Sequence, residues 1–243
     1  RSSRRAPDTA AAMRYNDLQP MERRDDLWKK TAPLLAALAV YAVAWCDLFL
    51  PQPPLSLFGA RWFALSAVKG TLRCGFILFV MTRWLGLGDF ALGAKSLLPR
   101  AADLANALLV AATAAAAALA LALFAALAGA ANPLFMSASA SLDWKAAALM
   151  ALSSLATGYS EELYFRYFAI AALGRSGFST RAAALVSALL FGASHASQGA
   201  LGIVAASLLA LAFSFHAAKG RGIHALALGH ALYDFALLAA ILR

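Results

Sequence analysis

Two adjacent carboxylates, Glu161 and Glu162, are followed by Arg166 in the stretch GYSEELYFRYF, residues 158–168. Downstream, FGASH sets His195 four residues after Phe191, and HALYD sets Asp234 four residues after His230. Residues four apart on a helix share a face, so Glu162 can pair with Arg166, and His230 lies beside Asp234. Glu161 points about a hundred degrees away from Glu162 and needs another partner. These residue types suit hydrolysis. A glutamate and a histidine hold a water and take its proton, and a second histidine donates to the oxyanion that forms when water attacks a carbonyl. The same His and carboxylate groups could instead ligate Zn²⁺. No HExxH occurs, so the most specific zinc signature is missing.

The chain around these residues is apolar. Of 243 residues 62% are hydrophobic and 14% charged, with mean hydropathy +0.70, and a soluble domain of this length carries far more charge. The apolar residues fall in long runs, which is the signature of helices crossing a bilayer. Seven spans are expected: 31–50, 62–85, 104–131, 144–173, 181–197, 200–218 and 222–242, with a further interfacial or re-entrant helix near 88–103 as an eighth element. The fold class is therefore all-α, a polytopic transmembrane helix bundle. It divides into a polar tail at 1–30 with a short interfacial helix near Leu27 and Trp28, N-terminal transmembrane helices at 31–131 and a core at 144–242. Residues 1–12 are set aside as a fragment start or expression remnant, because the chain begins at Arg1. PQPPLSLFGA and NPLFMSASASLD read as loops, the first because proline at this density ends a helix.

Charge orients the bundle. The first thirty residues hold eight Lys and Arg. With these inside, Arg83, Lys95, Arg100, Arg175, Arg181, Lys219 and Arg221 also fall inside, while the intervening outer segments are nearly free of them. This places the N-terminus in the cytoplasm. The net charge of +9 is thus accounted for by topology and not by nucleic acid, which would need the basic residues gathered on one folded face. Cys46 and Cys74 sit in or beside apolar runs and read as small hydrophobes, with no CxxC spacing for a metal.

Charge inside the spans is costly, at about 2.5–3.5 kcal/mol per group near a helix centre. At about 1.5 Å of rise per residue, Glu161 lies about 18 Å from the cytoplasmic end of its span, His195 about 21 Å, His230 about 14 Å and Asp234 about 20 Å. Three separate helices thus bring acid and imidazole groups to one layer.

At these residues the sequence resembles the CAAX-protease and bacteriocin-processing family, also called the Abi family. EELYFR is similar to its EExxxR motif, FGASH to its FxxxH motif, and HALYD to its third motif, a histidine followed four residues later by Asn or Asp. The resemblance covers about 144–242. It implies an all-helical intramembrane endopeptidase acting on a membrane-associated protein or peptide. In it Glu161 with His195 would activate water, His230 with Asp234 would stabilise the oxyanion, and Glu162 and Arg166 would orient the site. The glutamate reading needs no cofactor. In the metal-dependent alternative, zinc would be held by Glu161, His195 and His230. Members with Asn at the last position can donate a hydrogen bond there, which Asp234 does only when protonated.

Two rival classes share the polar layer: an ion or proton transporter, and a binding or immunity protein of the same fold without turnover. The first half of the chain lacks a matching polar set, which counts against an inverted-repeat transporter. The alanine-rich composition points to a prokaryotic cytoplasmic membrane. Other polar groups have plainer readings. His216 is a helix-end cap or surface residue and His224 is structural or interfacial. Lys69 and Arg73 snorkel, and Tyr164, Phe165 and Tyr167 pack or sit at the interface.

Overall fold

On the most apolar span small side chains face inward and large ones outward, the reverse of a helix in a water-soluble protein. In the helix Ala101–Leu127, the inward residues are Ala107, Val110, Ala114, Ala122 and Ala125. Leu104, Leu108, Leu119, Leu123 and Phe124 are exposed. Hydrocarbon solvates leucine as well as a protein core does, so nothing drives large side chains inside. Alanine is favoured where backbones must meet. The chain is an integral membrane protein.

The computed structural model describes residues 9–49, 59–84, 98–129 and 143–242. Helix α1 is Thr9–Ala44 and is followed by a 3₁₀ turn at Cys46–Phe49. Helix α2 is Ala60–Phe79, continued by a π segment at Val80–Trp84, and α3 is Ala101–Leu127. Helix α4, Trp144–Glu162, passes through a π segment at Leu163–Ala169 into α5, Ile170–Arg175, as one continuous rod. Helices α6 (Thr180–Ala193), α7 (Gly199–Ala218) and α8 (Ile223–Ile241) complete the bundle. Among the described residues there are no strands. The expected all-α bundle is what forms.

Among the described residues, five helices are long and apolar enough to cross a membrane: 27–44, 60–83, 101–127, 196–218 and 223–241. The other two expected spans differ from them for physical reasons. The α4–α5 rod carries Ser153, Ser154, Thr157, Glu161, Glu162 and Arg166, which lower its hydropathy while its apolar neighbours are buried. Helix α6 has 14 residues, about 21 Å at 1.5 Å per residue, against a hydrocarbon core of about 30 Å. The span expected to reach residue 131 stops at Leu127, because Gly129 at φ 66° turns the chain out of the helix. The tail does not form a separate short helix near Leu27, since α1 runs unbroken from Thr9. Most of the expected loops at 51–60 and 132–143, and residues 88–97 of the expected interfacial or re-entrant element at 88–103, lie outside the described residues.

Caps fix where the core helices begin. The Asp143 side chain accepts from the Ala146 amide at 2.7 Å to start α4, and Ser179 accepts from Ala182 at 3.3 Å to start α6. Between α5 and α6, Gly177 at φ 93° permits the reversal.

Lys69 and Arg73 do not snorkel. Both reach the carboxylate of Asp47 at 2.6 Å, just beyond α1. Arg73 also donates to the Ala44 carbonyl at 2.5 Å and lies over the Trp45 ring. A cation that satisfies the last carbonyls of a helix and neutralises an acid there locks α1 to α2.

Helix α8 is wedged between α4 and α3 through glycines. A Cβ on Gly158 would lie 2.5 Å from the Ala227 carbonyl oxygen and 3.1 Å from the Ala231 amide. On the opposite side of α8, a Cβ on Gly229 would lie 2.6 Å from Val110 and 2.8 Å from the Ala107 carbonyl. Neither backbone can give way locally, so a methyl at Gly158 must push α4 and α8 apart, three residues before Glu161. Gly158→Ala is expected to lose about 1–3 kcal/mol of stability, seen as a lower melting temperature of the detergent-solubilised protein. Gly75→Ala meets no atom within 4 Å and should be neutral or stabilising by about 0.5–1 kcal/mol.

Candidate active site

The α4–α5 rod changes its winding at the motif. Glu161 and Glu162 end the regular α-helix, and Arg166 sits in the π segment Leu163–Ala169. A π turn bonds i to i+5 and is wider than an α turn, and such turns recur at functional sites. Neighbours hold it in place. Ser187 of α6 is buried and donates to the Phe165 carbonyl at 2.5 Å. Tyr164, fully buried, donates to the Ala37 carbonyl of α1 at 2.7 Å. Tyr41 and Trp45 of α1 pack their rings on Tyr164 and Phe165. These aromatic residues, read from sequence as packing or interface groups, are a buried clamp on the segment that carries the charges.

His230 of α8 is the hub. Its Nδ1 lies 2.8 Å from Glu162 Oε1, and its Nε2 lies 3.6 Å from both Glu161 Oε2 and Asp234 Oδ2. Arg166 Nε approaches the other Glu162 oxygen at 3.2 Å, the pairing expected from the four-residue spacing. Glu161, Glu162, Arg166 and His230 are all buried, and Asp234 is partly exposed. Glu162 therefore spends its two oxygens on two different cations or donors, while Glu161 has a single longer contact. The two carboxylates are inequivalent by surroundings.

Aromatic faces complete the shell. The Arg166 guanidinium lies over Phe191 at 4.9 Å, Phe213 at 5.3 Å and Phe165 at 5.9 Å. Its Nε and Nη2 have no aligned hydrogen-bond acceptor, so the 3.2 Å contact to Glu162 is an ion pair supplemented by ring quadrupoles. The Phe213 ring stacks on His230 at 4.8 Å and 19° between planes. Phe213 lies in the apolar run of α7, and no sequence signal marked it. Nor did any mark Ser187.

His195 is placed differently from the expectation. Helix α6 ends at Ala193, and His195 begins the short 3₁₀ turn Ala196–Gln198 instead of lying on the helix face. It still reaches back four residues: its Nδ1 is 2.9 Å from the Phe191 carbonyl and 3.1 Å from Ser194 Oγ. It makes no ion pair with Glu161. The Phe191 ring neighbours both imidazoles, 4.8 Å from His195 and 5.9 Å from His230 between ring centroids. The structure thus gathers Glu161, Glu162, Arg166, His230 and Asp234 into direct contact and leaves His195 one ring away. Of the two readings of His224, the structural one is what the fold shows: its Nδ1 is hydrogen-bonded to Tyr159 Oη at 2.8 Å, tying α4 to α8.

Metal binding is a question of converging donors. Among the described residues, no group of three His, Cys, Asp or Glu side chains is arranged to hold a metal ion. In the zinc alternative of Glu161, His195 and His230, the ligand nitrogen of His195 would be Nε2, since its Nδ1 is engaged by the Phe191 carbonyl.

The Arg166–Glu162 contact gives a stability test. Arg166→Met leaves a buried carboxylate with His230 alone, and should cost about 3 kcal/mol. The double variant Arg166→Met/Glu162→Gln should recover more than half of that in thermal unfolding, because no unpaired charge stays behind.

No curated protein and no solved structure matches the chain. A family described as type II CAAX prenyl endopeptidase Rce1-like does match, over residues 143–236. The match contains all the side chains gathered here and runs from the cap of α4 to just past Asp234. Over the segment that builds the site, the chain is similar to the Rce1-like type II CAAX prenyl endopeptidases.

Proposed function

We propose that this protein is an intramembrane endopeptidase that hydrolyses a peptide bond of a membrane-associated protein or peptide. The observation that carries the reading is the single histidine shared by two inequivalent buried carboxylates, within a segment matched to an endopeptidase family. Glu162 is committed to Arg166 and to His230 Nδ1. Glu161 is the carboxylate free to take a proton, and it serves as the general base in a glutamate-type mechanism.

In this reading Glu161 removes a proton from water as the water oxygen bonds to the carbonyl carbon of the substrate. The carbonyl electrons move to oxygen, and the oxyanion takes a hydrogen bond from His230. With Nδ1 donating to Glu162, Nε2 of the imidazolium carries the N–H that faces the Glu161 and Asp234 side. Collapse breaks the carbon–nitrogen bond, and the leaving amine collects the proton from Glu161. His195 has Nδ1 occupied by the Phe191 carbonyl. Its Nε2 is then the acceptor that helps to hold the attacking water. Arg166, Glu162 and the aromatic shell fix His230 and exclude other water from the site. The bilayer confines the substrate to the plane of the site. A cytoplasmic N-terminus, supported by the distribution of Lys and Arg, and a prokaryotic cytoplasmic membrane, supported by the alanine-rich composition, complete the proposal.

Glu161→Gln tests the assignment. It is nearly isosteric and should lower cleavage of a membrane-anchored reporter by about 10²–10⁴-fold, while membrane insertion and melting temperature stay near wild type. Retained cleavage would remove Glu161 from the role of base. Asp234→Asn exchanges an acceptor for an amide donor beside Nε2. Cleavage should stay within about tenfold of wild type, a change of about 1.4 kcal/mol in the barrier.

A further inference from the structure

Away from the hydrolytic layer, at the face where α7 ends and α3 and α8 begin, an open cleft of about 720 Å³ is lined by polar and basic groups. His216, in the last turn of α7, lines this cleft. It is buried, at 4% exposure, yet neither of its ring nitrogens has a hydrogen-bond partner. A buried imidazole with both nitrogens unmet is costly unless something absent from the protein satisfies it. Lys219 and Arg221 stand on the turn that follows, and Arg221 Nε donates to Asn106 Oδ1 of α3 at 3.1 Å, which fixes that side chain in the cleft wall. The same turn leads into α8, whose N-cap is Gly222 and has no capping side chain. The first-turn amides of a 19-residue helix are thus offered without an acceptor from the cap. Asp103 also lines the cleft, and one of its oxygens accepts from the Arg100 amide. Against its one negative charge stand Lys219 and Arg221, so the cleft is net basic.

We propose that this cleft binds a phosphate group, held by an imidazole N–H of His216, by Lys219 and Arg221, and by the α8 N-terminus. The ligand chemistry is that of a phosphate monoester or diester oxyanion, supplied by the headgroup of an anionic phospholipid or by a soluble phosphate. The location agrees with both sources. The cleft lies at the ends of three helices on the face that carries the basic loops, at headgroup level and open to the aqueous side. The proposal stands apart from the hydrolytic mechanism, since no residue is shared.

The test uses the full chain in phosphatidylcholine nanodiscs, in nanodiscs with one-third phosphatidylglycerol, and in phosphatidylcholine nanodiscs with added inorganic phosphate. Bound lipid is counted by native mass spectrometry and the melting temperature is recorded. Stabilisation by phosphatidylglycerol alone supports the lipid source, and stabilisation by inorganic phosphate alone supports the soluble source. In either case His216→Phe and Lys219→Gln should each weaken the effect about tenfold, the worth of one charge-assisted hydrogen bond. Arg221→Lys should keep most of it. Arg181→Gln, a basic exposed residue on the same face outside the cleft, should change nothing. His216→Phe keeps the ring volume, so loss of binding in a variant that still melts cooperatively is loss of the site. No stabilisation from either source, or a response that Arg181→Gln reduces as much as Lys219→Gln does, overturns the proposal.

Discussion

Burying ionised groups where no water can reach them is the constraint on which this structure turns. Glu162 is fully buried and meets Arg166 on one oxygen and His230 on the other. Removing either partner would strand a charge in a low-dielectric interior, so the three side chains exist only as a set. The set also fixes the geometry of its neighbours. Because Glu162 orients His230 through Nδ1, the remaining nitrogen must face Glu161 and Asp234. In the proposed mechanism the ion network and the chemical site are one arrangement, the inner carboxylate supporting and the outer one acting as base.

Everything around that set keeps it in position. The π segment broadens the turn that carries Arg166, and Ser187, Tyr164 and the Tyr41–Trp45 pair hold the broadened turn from two sides. The apolar C-terminal half of α1, far away in sequence, thereby acts as a buttress for the motif helix. The approach of α4 to α8 at Gly158 and of α8 to α3 at Gly229 sets how far His230 stands from the glutamates. In lipid, where apolar burial supplies little drive between helices, such backbone contacts and buried polar links carry the specificity of packing. The same logic explains Asp47, whose ion pairs with Lys69 and Arg73 join the first two helices at their shared end.

The phenylalanines around Arg166 show how a membrane protein keeps an arginine without surrounding it with acids. One carboxylate neutralises the charge, and the faces of Phe165, Phe191 and Phe213 take the place of further acceptors. Phe191 also packs against both His195 and His230. The two imidazoles are held differently, one by a backbone carbonyl and the other by carboxylates.

The amino-acid sequence by itself determined the membrane class, the all-helical fold, and the pairs written at four-residue spacing. Glu162–Arg166 and His230–Asp234 are contacts of one helix with itself, so periodicity suffices to read them. Hydropathy likewise placed five helices, because length and apolar content are local properties. Tertiary structure decided the rest. Which histidine meets which glutamate depends on the rotation and depth of α4 against α8, and these are set by Gly158 and by the π segment, neither of which has a periodic signature. Hence the sequence pointed to a Glu161–His195 pair, while the packing gives Glu161 to His230 and ends α6 two residues before His195. Phe213, Ser187 and His216 acquire meaning only through neighbours distant in the chain, because what a side chain in an apolar helix can do is decided by the helix packed against it.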